Sequence, residues 1–326
     1  MAKFPSQRKI MYAGATVSNG NFAETHTISL PKDLSILNRR GYASTTNKGV
    51  PLVYRVAATV YPTGLDGSGY TTSVSSDVRT TVKFLGCQNN WVMKNAAVKW
   101  HAARDAMWKN AGINRKHLGA YAGAIRYNWD EAATTYSSPV DGDGNAFAGG
   151  TWDTSSFSGH DDADFTLKLV GLGLDEDTDS ATTAYQIGHA YLGSRATVAA
   201  DSNLESSLVP ADESILVKML APGIGIGSAS RRDDIADDVQ DGQDNPPYDE
   251  FVSSDTNHDI TEPVELGRCI LMPQGSGATL PQTVILDVPF GITQVEMAHR
   301  DPGDNSGITD DLCLGLEVLD IFEMQG

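Results

Sequence analysis

Apolar residues recur at every second position in short runs along most of the chain, and Gly, Pro, Asn and Asp gather between the runs. Phe165, Leu167 and Leu169, alternating with Thr166 and Lys168, show the pattern clearly, because successive side chains of a strand point to opposite faces. By the same reading Val53 to Tyr61, Asp77 to Leu85, Phe165 to Leu174, Ile215 to Ala221, Thr283 to Val288, Thr293 to His299 and Leu312 to Phe322 are strands. Ala120 to Tyr127 is a further one. With weaker candidates the chain holds about fourteen strands, the density of a sandwich or barrel protein. Arg8 and Lys9 before the run Ile10 to Val17 have the outline of a secretion signal. Gly14 interrupts that run and no small-x-small site follows, so it too reads as a strand.

One segment has the helical period. Val92, Ala96, Trp100, Ala103, Met107 and Ala111 fall within about 100° of one another at 3.6 residues per turn. Asn89 or Asn90 can cap this helix by accepting from first-turn amides, and Gly112 can end it in the left-handed conformation. The opposite face carries Lys94, His101, Arg104 and Lys109, and Asp105 is the one acid. Two long stretches, Glu131 to Asp164 and Gly223 to Glu262, have no period at all and read as projecting loops or subunit contacts.

The 326 residues suffice for about two domains. No window approaches the ~18 consecutive apolar residues of a membrane-spanning helix. The net charge of −18 conceals a division: residues 1–126 hold 17 Lys and Arg against 5 Asp and Glu, whereas the other 200 hold 7 against 37. One part, at +12, is suited to meet polyanions, anionic lipid or an acidic neighbour; the other, at −30, is suited to solvent. Mutual neutralisation within one molecule is the alternative.

The motifs that would carry chemistry fail in context. Cys87, Cys269 and Cys313 are odd in number and widely spaced, so they build neither a disulfide framework nor paired zinc ligands. Asp141-Gly142-Asp143-Gly144-Asn145 opens like an EF-hand loop, but Ala146 stands at its sixth position and Trp152 at its twelfth. Asp255-Thr256-Asn257-His258-Asp259 fails in the same way, and Asp175, Asp177 and Asp179 end on Gln186 where Glu should be. Asp141, Asp143, Asp175, Asp177 and Asp179 therefore remain as candidates for an irregular calcium site; no other cofactor is expected. Asn245-Pro246-Pro247-Tyr248 matches the tetrapeptide with which DNA adenine methyltransferases hold the target amino group. It follows an aspartate run rather than a hydrophobic strand, too close to Gly223-Ile224-Gly225-Ile226-Gly227 for the intervening units of a doubly wound sheet. No H-E-x-x-H, no G-x-S-x-G and no nucleic-acid-binding signature occurs. His160-Asp161-Asp162 lies in a polar loop without a pocket to position it.

The order of elements, with several strands, one helix at 90–111, a strand, a long loop and further strands, resembles the first half of a double jelly-roll major capsid protein of tailless icosahedral, membrane-containing bacteriophages. Trp91-Val92-Met93 through Ala111-Gly112, continued by Gly119-Ala120-Tyr121 and Ile125-Arg126-Tyr127, is similar to coat-protein sequence of that kind. The resemblance implies an all-β fold of two eight-stranded antiparallel sandwiches with one prominent helix. The first jelly roll would span 1–175, with the basic helix and the 131–164 loop, and the second 176–326, with the acidic 223–262 loop. It implies a structural, non-enzymatic subunit that trimerises and tiles an icosahedral shell. Its partners would be itself, other virion proteins and, without sequence specificity, the genome or an internal membrane, with no small-molecule substrate. It would reside in the virion after synthesis in the host cytoplasm. The basic patch of Lys94, Lys99, Arg104, Lys109, Arg115, Lys116 and Arg126 is then expected toward the interior or subunit seams, and the acidic loops outward. A secreted or surface β-sandwich, binding carbohydrate or acting as a calcium-dependent adhesin, is the alternative; another virion component and a hydrolase are further ones.

Overall fold

The alternation is realised as strands in a computed structural model that describes residues 5–17, 24–66, 69–73, 79–113, 123–130, 136–150, 152–158, 164–171, 184–191, 262–271, 280–300 and 310–325. In chain order the elements are β1 (Lys9–Val17), β2 (Glu24–Ser29), α1 (Leu30–Asn38), β3 (Leu52–Tyr61), β4 (Thr63–Asp66), β5 (Gly69–Ser73), β6 (Arg79–Gly86) and α2 (Trp91–Asn110). They continue with β7 (Ser156–Ser158), β8 (Asp164–Lys168), β9 (Ala184–Gln186), β10 (Val264–Leu271), β11 (Gln282–Pro289), β12 (Ile292–Arg300) and β13 (Asp310–Glu323).

Eight of these strands form two antiparallel four-stranded sheets, in the orders β1-β13-β3-β11 and β10-β6-β12-β2. The sheets face each other across one core. Val56, Ala58 and Val60 of β3 meet Leu314, Leu316 and Val318 of β13 on one side and Val82, Phe84, Val295 and Met297 of the other sheet opposite. Each such side chain, fully withdrawn from water, contributes roughly 1.5–3 kcal/mol before entropy is counted. The period-2 register sends the intervening residues outward: Arg55 lies opposite Asp287 and holds it through two hydrogen bonds of 2.7 and 2.8 Å.

Both open corners of the sandwich are closed by particular residues. At the first, β10 bulges between Glu265 and Gly267, and a Cβ on Gly267 would sit 2.5 Å from Leu286 Cδ2, so a larger residue must displace that side chain for β10 to lie this close to β11. At the second, residues 136–140 run as a strap from one sheet to the other. Ser137 N donates to Thr27 O of β2 at 2.8 Å, and Val140 N donates to Met11 O of β1 at 2.8 Å.

Residues 87–263 intervene between β6 and β10 and bring a second core. α2 lays Val92, Met93, Ala96, Trp100 and Ala103 against Ile125, Tyr127, Trp129, Phe157, Phe165 and Leu167. Trp100 meets the rings of Phe157 and Phe165 at 5.8 and 6.0 Å, and those two stack at 5.5 Å. β7 and β8 pair antiparallel and β8 and β9 parallel, which makes a small three-stranded sheet under the helix.

The β-rich, antiparallel character is as the sequence indicates, but the arrangement differs from two sandwiches in succession. Among the described residues there is one eight-stranded sandwich, whose strands come from residues 9–86 and 264–323 and alternate within both sheets. A boundary at 175/176 would part β1 from β13, which pair from Lys9↔Glu317 to Val17↔Asp310. The strands expected at 53–61, 77–85, 283–288, 293–299 and 312–322 are present as β3, β6, β11, β12 and β13, and Ile10 to Val17 lies in β1. Residues 123–127 are turn and coil, held by their side chains in the second core instead of by a ladder. Ile215 to Ala221 lies outside the described residues.

Candidate functional site

The basic surface expected around α2 can now be placed residue by residue. Asn90 caps the helix by accepting from Met93 N at 2.9 Å. The helix is buried on two sides rather than one. Its apolar face rests on the second core, while His101 and Arg104, expected in solvent, are only 3% and 6% exposed. The 39–50 segment folds over His101. A Cβ on Gly49 would lie 2.6 Å from His101 Cβ, and Gly49 has φ +85°, a conformation glycine alone takes without strain. Thr45 Oγ1 lies 2.9 Å from His101 Nε2, and Arg104 Nη2 lies 3.4 Å from Nδ1. An arginine can only donate, so Nδ1 accepts and Nε2–H donates to Thr45. Arg104 also donates to Gly123 O at 2.6 Å and stacks over Trp108 at 4.5 Å. It is a structural cross-brace.

Arg126 is tied down too, donating to Asp153 O and lying over the Trp152 ring at 5.9 Å. Arg115 and Lys116 lie outside the described residues. Of the seven expected cations, this leaves Lys99 and Lys109 exposed and Lys94 half-buried on the outer face of α2. Among the described residues these three have no acidic partner, and the same holds for the exposed Arg39, Arg40 and Lys48 on the adjoining segment. The sandwich cations behave otherwise: Lys9 pairs with Glu317, Arg55 with Asp287, Lys83 with Glu296 and Arg268 with Glu265. Sequence reasoning does not single out Arg39, Arg40 and Lys48, although an acid-free stretch from Leu34 to Leu65 marks them. Beside them a groove of about 760 Å³ runs between residues 40–50 and the end of β13, lined by Arg40, Tyr42, Asn47, Lys48, Phe322 and Glu323.

The calcium candidates divide. Asp175, Asp177 and Asp179 lie outside the described residues, as do His160, Asp161 and Asp162. Asp141 spends its carboxylate on its own turn: Oδ1 accepts from Asn145 N at 2.9 Å and Asp143 N at 3.0 Å, and these amides hold its pKa below the usual range. Asp143 is exposed, and among the described residues no three His, Cys, Asp or Glu side chains converge on a common point.

One ionisable cluster escapes sequence reasoning. Asp33 of α1 has no exposed surface, and Tyr12 Oη donates to its Oδ2 at 2.5 Å. Oδ1 has no hydrogen bond, and Lys32 Nζ stands 3.9 Å from it. Burial drives the Asp33 pKa up to about 7, against the opposing pull of Tyr12 and Lys32. Lys32 also donates to the strap at Tyr136 O (3.4 Å) and Ser137 O (3.2 Å). Under the strap lies a cavity of about 210 Å³ lined by Tyr12, His26, Ser137, Val295, Met297 and Leu314 among others. A lone Asp between Lys32 and Leu34 gives no sequence signal of burial.

Comparison of the chain with family models, with curated proteins and with solved structures finds no match.

Proposed function

We propose that the chain is the structural subunit of a virion shell, a coat protein that associates with copies of itself, and that it is not an enzyme. The observation that carries this reading is the strand order. β1-β13-β3-β11 facing β2-β12-β6-β10 is the connectivity of a jelly roll, two Greek keys folded into two sheets, which recurs in capsid proteins as well as in lectins and cupins. In this reading the fold is a single roll assembled from both ends of the chain, with α2 and β7–β9 as a large insertion, in place of two consecutive rolls. The roll's interior is filled by aliphatic and aromatic side chains from both sheets, so its function is carried on its outside. Fold alone does not decide function. The division of the chain into a part of +12 over residues 1–126 and a part of −30 over the rest adds the two-faced character that an assembling subunit needs.

The test is the mass of the protein in solution by light scattering, with electron microscopy of any large fraction. Trimers of the 34.8 kDa chain or closed particles are the expected result, and a monomer under every condition overturns the reading. The competing surface module that binds carbohydrate has the 760 Å³ groove in its favour. Glycan binding by a chain that stays monomeric would select it.

A further inference from the structure

We infer that residues 136–140 are a proton-controlled latch: the strap holds the corner between β1 and β2 shut while Asp33 is protonated and releases it when Asp33 ionises. The latch is independent of the shell reading. Two backbone bonds fasten the strap to the sheets, Ser137 N to Thr27 O and Val140 N to Met11 O, both at 2.8 Å. Tyr136 Oη fastens its start, 3.2 Å from both Tyr127 O and Asn128 Oδ1. The last fastening comes from α1. Lys32 Nζ donates to Tyr136 O and Ser137 O at 3.4 and 3.2 Å, and its side chain is only 13% exposed.

Asp33 sits beside that ammonium with one oxygen unserved. Tyr12 Oη donates to Oδ2 at 2.5 Å, whereas Oδ1 is buried without a hydrogen bond and Lys32 Nζ, 3.9 Å away, is beyond bonding reach. A protonated carboxyl tolerates this arrangement, because an unpaired neutral group costs far less than an unpaired buried charge. An ionised one does not, and both remedies undo the strap. Either Lys32 turns from the carbonyls of Tyr136 and Ser137 to Oδ1, or water enters. The cavity of about 210 Å³ is the way in: Ser137 and Ser138 of the strap line it, as does Tyr12, the partner of Asp33. It has room for several waters at ~30 Å³ each.

Among the described residues the ionisable groups about Asp33 are Tyr12 on β1, Lys32 on α1, Tyr136 on the strap and His26, which lines the cavity from β2. Burial raises both phenols above their ordinary value, so they stay neutral, whereas the Asp33 carboxyl titrates at about 7. Release uncovers Ile28, Val295, Met297, Leu312 and Leu314, the apolar lining of the cavity. β1 and β2 are the outer strands of their sheets, so it also bares their edges.

The experiment is amide hydrogen exchange of the full chain from about pH 5 to about pH 8, corrected for the intrinsic pH dependence of exchange. It is read at Ser137 and Val140 of the strap and, for reference, at Val56 and Leu316 of the core. The strap amides are expected to exchange faster than the core amides at every pH. Their protection is expected to fall by at least ~10-fold between about pH 5 and about pH 7 and then to level off. The fall is expected to vanish in Asp33→Asn and to persist in His26→Gln. Lys32→Met is expected to lower strap protection by at least ~10-fold at about pH 5, since it removes two charge-assisted hydrogen bonds. Strap amides that exchange in step with Val56 and Leu316, or a pH dependence that survives Asp33→Asn, overturn the inference. Its loss in His26→Gln overturns it too, assigning the switch to the histidine. Strap protection unchanged by Lys32→Met does the same, whether or not Asp33→Asn folds.

Discussion

Replacing Asp33 by asparagine separates the cost of a buried charge from the value of the hydrogen bond it makes. In the folded chain Asp33 titrates at about 7, whereas an unfolded carboxylate titrates at ~3.9. Below about pH 4 both states are protonated and the site costs nothing. As the pH rises from about 4 to about 7 the unfolded chain sheds the proton first. Folding stability therefore falls by ~1.4 kcal/mol per pH unit, to a total of about 4 kcal/mol, and stays reduced above pH 7. The Asp33→Asn side chain keeps an oxygen to accept from Tyr12 Oη, which in the wild type lies 2.5 Å from Oδ2, and carries no charge. Against the gain stand the buried amide and the loss of Lys32's anionic neighbour, 3.9 Å away, which together cost about 1–3 kcal/mol. Urea unfolding at about pH 4.5, 6 and 8 is the assay. Asp33→Asn is expected to be neutral or slightly destabilising at the lowest pH and more stable than wild type by about 2 kcal/mol at the highest. A difference that does not change with pH, or one that moves against the variant as the pH rises, refutes the argument.

Substitutions at three other positions test the cap and the packing. Asn90→Ala removes the oxygen that accepts from Met93 N at 2.9 Å and should cost about 1 kcal/mol in denaturant unfolding, most of it recovered by Asn90→Ser. Trp100→Ala should cost about 3–5 kcal/mol by emptying the centre of the second core. Trp100→Phe should cost clearly less, because the indole N–H it deletes is buried without an acceptor in the described structure. Gly267→Val should cost about 1–3 kcal/mol or more, since even its Cβ would lie 2.5 Å from Leu286; a melting temperature equal to wild type would show that the β10–β11 corner yields freely.

The elements legible in the sequence are those whose burial is one-sided. β3 reads as a strand because Val56, Ala58 and Val60 face the core while Arg55 faces water. α2 is legible from its apolar stripe, yet its second buried side is not. His101 is polar and is covered by the 39–50 segment, a contact between residues more than fifty positions apart, and Arg104 is tied to Gly123 O and stacked on Trp108. α1 is not legible, since nine residues make too short a period, although Leu30, Leu34 and Leu37 carry it and Pro31 sits where a first-turn proline is tolerated. β10 is obscured by the bulge at Gly267, which breaks its alternation. The number of sandwiches is beyond reach for a different reason: strand alternation tells which residues point inward and nothing about which strand lies beside which. Of the basic patch, the sequence locates the helix but counts charges without regard to their neighbours, so it includes Arg104 and Arg126 and omits Arg39, Arg40 and Lys48.

β13 lies between β1 and β3, inside its sheet, and pairs with β1 residues about 300 positions earlier in the chain and with β3 residues about 260 positions earlier. During synthesis β1 and β3 must therefore wait, with their inner edges unfilled, until every residue of the insertion has been made. Until β13 arrives, the apolar faces of β1 and β3 have no completed sheet to belong to, and premature pairing with another nascent chain is the hazard. A shortened chain that lacks β13 leaves β1 and β3 without their shared neighbour, so the sandwich closes only once the last strand has been made.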